Sequence, residues 1–168
     1  KVANIENLYN ETINLTQNIL ETKTLSDVST INIAPRLRMN ILYSVAGTLG
    51  YLVVNTSNLS ETMIGYSTKW GDGVGDFAPL QDLTKTEVCE LGLHLGLPEN
   101  LVNKTPDDGL SGKTDEEKLG FSYAELDGFI RTGQKGTNFD KIQKMHTVSN
   151  HKRALPTKFK TNRKNYFK

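Results

Sequence analysis

The strongest constraint on the fold is a short apolar run at residues 51–54, with the sequence YLVV. Its length and its β-branched residues predict a buried strand of a parallel sheet. Small polar residues end the run, and a glycine-rich segment, KWGDGVGD, follows at residues 69–76. Ligands of open α/β sheets bind outside the carboxyl ends of the strands. The hydroxyls, carboxylates and lysine that follow this run therefore suit a polyanion together with its metal ion.

The spacing of the glycine-rich segment leaves two interpretations open. Its glycines could serve only tight turns that need a positive φ, with Asp72 and Asp76 as ordinary turn residues. The sequence GDGVGD is neither a P-loop nor a dinucleotide-binding fingerprint. Spacing alone therefore does not identify the chemistry of this loop.

Longer stretches of the chain resemble a known family. Residues 55–88 are similar to the ATP and magnesium segment of ammonia-dependent NAD synthetases, which belong to the ATP pyrophosphatase group. Residues 33–47, 108–133 and 148–153 match in the same order, so the resemblance covers about residues 32–153. It implies an α/β, Rossmann-like adenine nucleotide alpha hydrolase fold. Residues 1–168 would form the helix-rich C-terminal part of that single parallel-sheet domain.

The resemblance implies a ligase that makes NAD from deamido-NAD, ATP and ammonia. ATP adenylates the nicotinate carboxylate with release of pyrophosphate, and ammonia then displaces AMP. A carboxylate is a poor electrophile, and its activation brings several anions together. Magnesium and protein cations are therefore needed to offset their repulsion.

The resemblance also implies roles for individual residues. Glu61 is the expected magnesium ligand, Asp72 and Lys85 are the catalytic candidates, and Asp72 would orient ammonia or the lysine. The expected ATP contacts are Thr56, Lys85 and Asp107, and the expected deamido-NAD contacts are Arg36, Lys69, Asp76, His151 and Lys152. The family has a hydroxyl residue where Asp107 stands, and a carboxylate there repels phosphate unless a metal ion intervenes.

Periodicity and capping signals predict the helices that carry these residues. We expect helices over residues 4–20, 32–47, 84–96, 122–133 and 138–149, with Asn32 as an N-cap, Pro35 in the first turn, and capping boxes at Thr84 and Ser122. Lys85 then lies in a first turn whose free backbone N–H groups favour an anion. Residues 103–118 are polar and turn-rich, which predicts a mobile lid over the nucleotide, and residues 154–168 predict a basic tail.

Two absences bear on what the chain can do alone. Residues 51–55 are the only convincing central strand, with a weaker candidate near residues 77–80, and we expect the missing strands to precede Lys1. The Ser-Gly-Gly-x-Asp-Ser loop that cradles pyrophosphate in this group does not occur in the sequence. We therefore expect a C-terminal portion that is inactive by itself. The alternatives are another amidating ATP pyrophosphatase, or a non-catalytic nucleotide-binding or dimerisation module.

Composition excludes several classes. The chain has 20 basic and 19 acidic residues, so its formal charge of +1 implies no general attraction to nucleic acid or membranes. No stretch approaches the roughly 20 apolar residues of a membrane span. The single cysteine, Cys89, excludes internal disulfides and fits a reducing cytoplasm. The resemblance further implies a homodimer, with the N-terminal helix and the helix that carries Arg36 as the expected contact.

Overall fold

Helices dominate the computed structural model, which describes residues 1–106, 112 and 114–159. In chain order the helices are α1 (Glu6–Ile19), α2 (Asp27–Leu49), α3 (Leu59–Ile64), α4 (Lys85–His94), α5 (Glu99–Val102), α6 (Asp115–Leu119), α7 (Tyr123–Thr132), α8 (Phe139–Val148) and α9 (Asn150–Arg153). The predicted helices at residues 4–20, 84–96 and 138–149 are confirmed as α1, α4 and α8. Among the described residues, no helix is long and apolar enough to cross a membrane.

The start of α2 differs from the prediction. Ser26 is the N-cap, and its side chain accepts a hydrogen bond from the backbone N–H of Ser29. Pro35 therefore lies inside the helix rather than in its first turn. Asn32 is not a cap, because its Nδ2 donates to the carbonyl of Val28 at 2.7 Å. Proline lacks the N–H that a helix interior uses, so sequence reasoning favoured a later start.

The buried core lies between α3, α6, α7 and α8. Its fully packed side chains are Ile64, Leu119, Phe121, Tyr123, Leu126 and Ile142. Phe121 lies in the connection between α6 and α7, and the other core residues come from short helices. Ile64 in this core fixes the end of α3, beside which several candidate functional residues lie.

The buried strand predicted at residues 51–55 is not confirmed in the described part of the chain. Val54 forms only an isolated parallel bridge with Phe77. The Asn55 N–H donates to the Phe77 carbonyl at 2.9 Å, and the Asp76 N–H donates to the Val53 carbonyl at 2.7 Å. Tyr51, Leu52 and Val54 of this segment are exposed, Leu52 by 69%. The predicted parallel sheet is therefore not confirmed.

Capping accounts for the remaining helix boundaries. The box at Thr84 is confirmed, with Glu87 accepting from the Thr84 N–H at 2.7 Å. Ser122 caps α7 as predicted, but the Glu125 carboxylate accepts from the N–H and Nδ2 of Asn138 instead of closing a box. A further box at Thr114 begins α6.

The predicted lid and tail are described only in part. Because Thr114 caps α6, residues 115–118 of the predicted lid are helical. Asp107, the expected ATP contact, lies outside the described residues. Residues 155–159 of the predicted tail form no regular secondary structure and are exposed.

The α1–α2 pair leaves apolar side chains uncovered. No residue of α1 is buried. The large exposed apolar side chains of the two helices are Leu8, Leu15, Ile19, Val28, Ile31, Leu42, Val45 and Leu49. This is the surface on which a homodimer contact was expected, and that contact stays a prediction.

An exposed ion pair between α4 and α7 gives a pH-dependent prediction. Arg131 holds the pKa of Glu87 at about 2, below its ordinary value of 4.5, chiefly through their side-chain hydrogen bond. A carboxyl whose folded-state pKa is lowered stabilises the fold above pH 4.5 and loses that contribution as the pH falls toward 2. The urea midpoints of the wild type and Glu87→Gln should therefore converge over this range. A difference between the two urea midpoints that does not change with pH would contradict the lowered pKa of Glu87.

Candidate functional site

The chain after α8 is anchored to the end of α3. Arg153 Nη1 donates to the carbonyls of Thr62 and Met63, both at 3.0 Å. His146 Nδ1 also donates to the Met63 carbonyl, at 2.7 Å. These basic side chains satisfy carbonyls at the last turn of α3, where the helix dipole favours cations. These hydrogen bonds place α9 against the turn at residues 65–68.

Lys152 is held against that turn. Its Nζ donates to the carbonyls of Gly65 and Ser67, at 2.7 and 2.6 Å. Burial lowers the pKa of Lys152, and the nearby Asp72 carboxylate opposes this shift. Gly65 has φ of +66°, and a Cβ there would collide with the Ser149 side chain. Glycine is therefore required at the point where α9 meets α3.

Three of the predicted substrate residues meet beside Lys152. Lys69 Nζ donates to Nδ1 of His151 at 3.4 Å, across a separation of 82 residues. Arg36 reaches over from α2, and its Nε donates to the Lys69 carbonyl at 3.2 Å. Lys69 Nζ also lies 5.4 Å from the ring centroid of Trp70, a cation–π distance. We call Lys69, His151 and Lys152 the basic cluster.

A cavity of about 280 Å³ adjoins the basic cluster. Asp72 lines it, and its Oδ1 accepts from the Thr68 N–H at 2.6 Å. Thr68 Oγ1 donates to Asn32 Oδ1 at 2.6 Å, which ties the glycine-rich segment to α2. Arg38 also lines the cavity, although the resemblance implies a substrate contact for Arg36 alone. Arg38 lies three residues after Pro35, so the two share a face of α2, and both line this cavity. That spacing could have identified Arg38 from the sequence.

Asp76 and Thr56 are less closely associated with the basic cluster. Asp76 Oδ2 accepts from the Val53 N–H at 2.7 Å. The pKa of Tyr43 is raised by burial and then by the charge and hydrogen bond of Asp76. Asp76 nevertheless lines, with Lys152, a cavity of about 380 Å³. Thr56 is exposed and lines a separate cavity of about 180 Å³.

A second group of side chains surrounds the start of α3. Burial raises the pKa of Glu61, the Asp115 carboxylate raises it further, and Lys85 opposes the shift. Asp115 is buried and accepts from the hydroxyls of Tyr66 and Tyr123, at 2.9 and 3.4 Å. Burial and the two carboxylates raise the pKa of Tyr123, so this phenol stays protonated and donates. We call Glu61, Lys85 and Asp115 the acidic cluster.

The acidic cluster has the donor chemistry that magnesium uses. Mg²⁺ takes one or two protein carboxylates and completes its shell with phosphate oxygens and waters. Within the described ranges no group of three or more acidic, histidine or cysteine side chains forms a ready-made metal cage. Glu61, with Asp115 beside it, fits a metal bound jointly with a phosphate ligand. Asp115 is not among the residues predicted from the sequence, although the capping-box pattern at Thr114 indicates a helix start at this position.

The predicted anion site at the backbone of α4 is wrong. The Lys85 N–H donates to Ser60 Oγ at 2.9 Å, and the Thr86 N–H donates to Asp127 Oδ2 at 2.8 Å. The next N–H, of Glu87, donates to the Thr84 hydroxyl. Buried side chains have taken these donors, so the ammonium of Lys85 is what this turn offers an anion. Lys85 lines a cavity of about 420 Å³ together with Thr86, Cys89, Val102, Asn103, Lys104, Thr105, Pro106, Thr114, Glu116 and Tyr123.

Comparison with known proteins gives consistent matches. The profile of the family described as NAD synthase matches residues 1–168. An NH(3)-dependent NAD(+) synthetase of Carboxydothermus hydrogenoformans is 47% identical over 127 residues, covering 74% of this chain and 52% of the relative. One of Finegoldia magna is 43% identical over 141 residues, covering 83% of this chain and 58% of the relative.

Among solved structures, that of NMN synthetase from Francisella tularensis superposes with a TM-score of 0.88 at 35% identity. The match covers 96% of this chain and 66% of that one. The chain thus spans between half and two thirds of the length of these relatives.

Proposed function

The chain belongs to the NAD synthase family, and on that premise we propose that it forms part of a ligase that makes NAD from deamido-NAD, ATP and ammonia. The basic cluster is the observation that supports this proposal most directly. Lys69 lies 82 residues from His151 in the sequence, yet its Nζ contacts the His151 ring, and the neighbouring Lys152 lines a cavity of about 280 Å³. Two ammonium groups and an imidazole are suited to a substrate that carries phosphates and a carboxylate.

The basic cluster would hold the nicotinate nucleotide. Lys152 has two of its three donors fixed by backbone carbonyls, so its orientation is set before any substrate binds. Lys69 is oriented by His151, and its carbonyl is held by Arg36. Preorganised cations lose little side-chain entropy on binding, and this favours a precise position for the reacting carboxylate. Arg36 would support the cluster, and Asp76 would contact the substrate from the adjoining cavity.

The acidic cluster would hold ATP. Glu61, the ligand implied by the resemblance, would bind magnesium with Asp115 as a second carboxylate. Lys85 would contact the phosphates, with Thr56 as a further ATP contact. When bound, magnesium supplies charge neutralisation between phosphate oxygens as the carboxylate attacks. Lys85 would add a positive charge on the same side, where its charge already lowers the pKa of Glu61 against the effect of burial.

The position of the two clusters suits adenylation. The acidic cluster lies at the start of α3 and the basic cluster beyond its end, and a helix of this length spans about 9 Å. Tyr66 connects them, since it follows the end of α3 and donates to Asp115. A carboxylate held at one end could therefore reach a nucleotide phosphate held at the other. Asp72, beside Lys152, is the candidate that orients the incoming ammonia, and AMP would then leave as the amide forms.

A second candidate differs only in the substrate. The solved structure with a TM-score of 0.88 is described as an NMN synthetase. The corresponding activity here would amidate nicotinate mononucleotide rather than deamido-NAD. Both substrates carry the same reacting carboxylate, so the basic cluster supports either one.

The test is a comparison of the two substrates on the protein purified from its native source. We expect NAD, AMP and pyrophosphate to form from deamido-NAD, ATP and ammonia, with a higher kcat/KM than for nicotinate mononucleotide. Preference for the mononucleotide would support the second candidate. Absence of AMP with either substrate would overturn both and support a non-catalytic nucleotide-binding or dimerisation module. The 168-residue chain alone should form no AMP, because its sequence lacks the pyrophosphate loop.

A further inference from the structure

A buried carboxylate outside both clusters accepts hydrogen bonds from residues of two other helices. Asp127 lies in α7 and is only 6% exposed. Its Oδ1 accepts from Ser60 Oγ of α3 at 2.5 Å, and its Oδ2 accepts from the N–H and the Oγ1 of Thr86 of α4, at 2.8 and 2.6 Å. Asp127 thus receives three hydrogen bonds, two of them from the first turn of α4, where the helix dipole favours an acceptor with negative charge.

The two residues bound by Asp127 are sequence neighbours of Glu61 and Lys85, the residues proposed to bind magnesium and ATP. Ser60 immediately precedes Glu61, and Thr86 immediately follows Lys85. Ser60 Oγ in turn accepts from the Lys85 N–H at 2.9 Å. One carboxylate therefore fixes the backbone of Glu61 and the backbone of Lys85 relative to each other.

We propose that Asp127 is a positioning residue for Mg·ATP, which acts by holding Glu61 and Lys85 at a fixed separation. This inference rests on the proposed function. Asp127 does not line the Lys85 cavity, so its effect would be indirect. Small displacements of groups that hold a reacting phosphate reduce catalysis strongly, because correct geometry supplies much of the rate.

The chain offers a matched control for a role limited to stability. Arg131 also lies in α7 and also binds α4, through Glu87 and the Asp82 carbonyl that precedes the helix. This link joins the same two helices on the surface, without contacting Ser60 or Thr86. If Asp127 served only to hold α7 on α4, loss of either link should have the same kind of effect.

The experiment compares Asp127→Asn with Arg131→Gln in the native-source protein. Asparagine keeps only one of the two acceptor oxygens, so either the Ser60 hydroxyl or the Thr86 N–H loses its acceptor. We expect KM for Mg·ATP to rise at least about tenfold in Asp127→Asn, with KM for the nicotinate nucleotide changed less than about twofold. Arg131→Gln should leave both KM values close to wild type, even where its thermal midpoint falls.

Ser60→Ala provides a second variant if Asp127→Asn does not fold. It removes the relay to the Lys85 N–H, and it should give the same selective rise in KM for Mg·ATP, of smaller size. Equal changes in both KM values, or the same KM change in Arg131→Gln, would overturn the positioning role while leaving the proposed function intact. A native-source protein that forms no AMP would overturn the proposed function itself, and the positioning role with it.

Discussion

Replacing Lys152 with methionine should weaken binding of the nicotinate nucleotide by about 10- to 100-fold, the range expected for loss of a charged hydrogen-bond donor. Methionine keeps most of the length of the side chain but removes the charge and every donor. The remaining members of the basic cluster, the Lys69 ammonium and the His151 imidazole, would face the substrate without their fixed neighbour. The chain has a single tryptophan, Trp70, which lies beside Lys69. Quenching of its fluorescence by deamido-NAD gives the Kd directly.

Lys152 also contributes to the fold, so stability must be measured alongside the Kd. The variant leaves the carbonyls of Gly65 and Ser67 without this donor. We expect a lower thermal midpoint as well as a weaker Kd. Lys144→Met, at an exposed position on α8, is the matched control and should leave the Kd unchanged. A folded Lys152→Met variant with the wild-type Kd would remove Lys152 from the substrate site.

Replacing Glu61 with glutamine should raise the magnesium concentration needed for half-maximal activity by about 10-fold or more, since one charged ligand of few is lost. Glutamine still accepts a hydrogen bond, so the contact with the Asn58 N–H that begins α3 can persist. The substitution therefore removes the negative charge of Glu61 but can keep its capping hydrogen bond. Initial rates as a function of free Mg²⁺, at fixed total ATP, measure this requirement.

The pKa of Glu61 gives this prediction a pH signature. Burial and Asp115 raise the pKa of this carboxyl above its ordinary value of 4.5. Protonation competes with a cation, so the magnesium requirement of the wild type should increase as the pH falls toward that raised pKa. In Glu61→Gln this added dependence should be absent.

Glu87→Gln is the matched control for the Glu61 experiment. Glu87 occupies the same third position of a capping box, at the start of α4, but its charge pairs with Arg131. It should lower stability without altering the magnesium requirement. An unchanged magnesium requirement in Glu61→Gln would exclude Glu61 as a ligand.

The local sequence by itself determined much of the helical structure. Apolar residues three and four apart predicted α1, α4 and α8, and the Thr84 box predicted where α4 begins. Such signals are readable because the interacting residues lie within one or two turns of each other. The resemblance of residues 55–88 then selected Lys69 from many exposed lysines. Periodicity could not have done so, because a surface lysine has the same local pattern as a binding one.

The tertiary structure decided which of these residues come together. The contact between Lys69 and His151 spans 82 residues, and the one between Thr86 and Asp127 spans 41. No local pattern encodes such pairs, which explains why Asp127 was missed and why the backbone of α4 was expected to bind an anion. The run at residues 51–54 is a second case in which the local sequence was not sufficient. Its β-branched residues favour a strand, but burial in a sheet depends on neighbours, and only packing determines whether a segment has them.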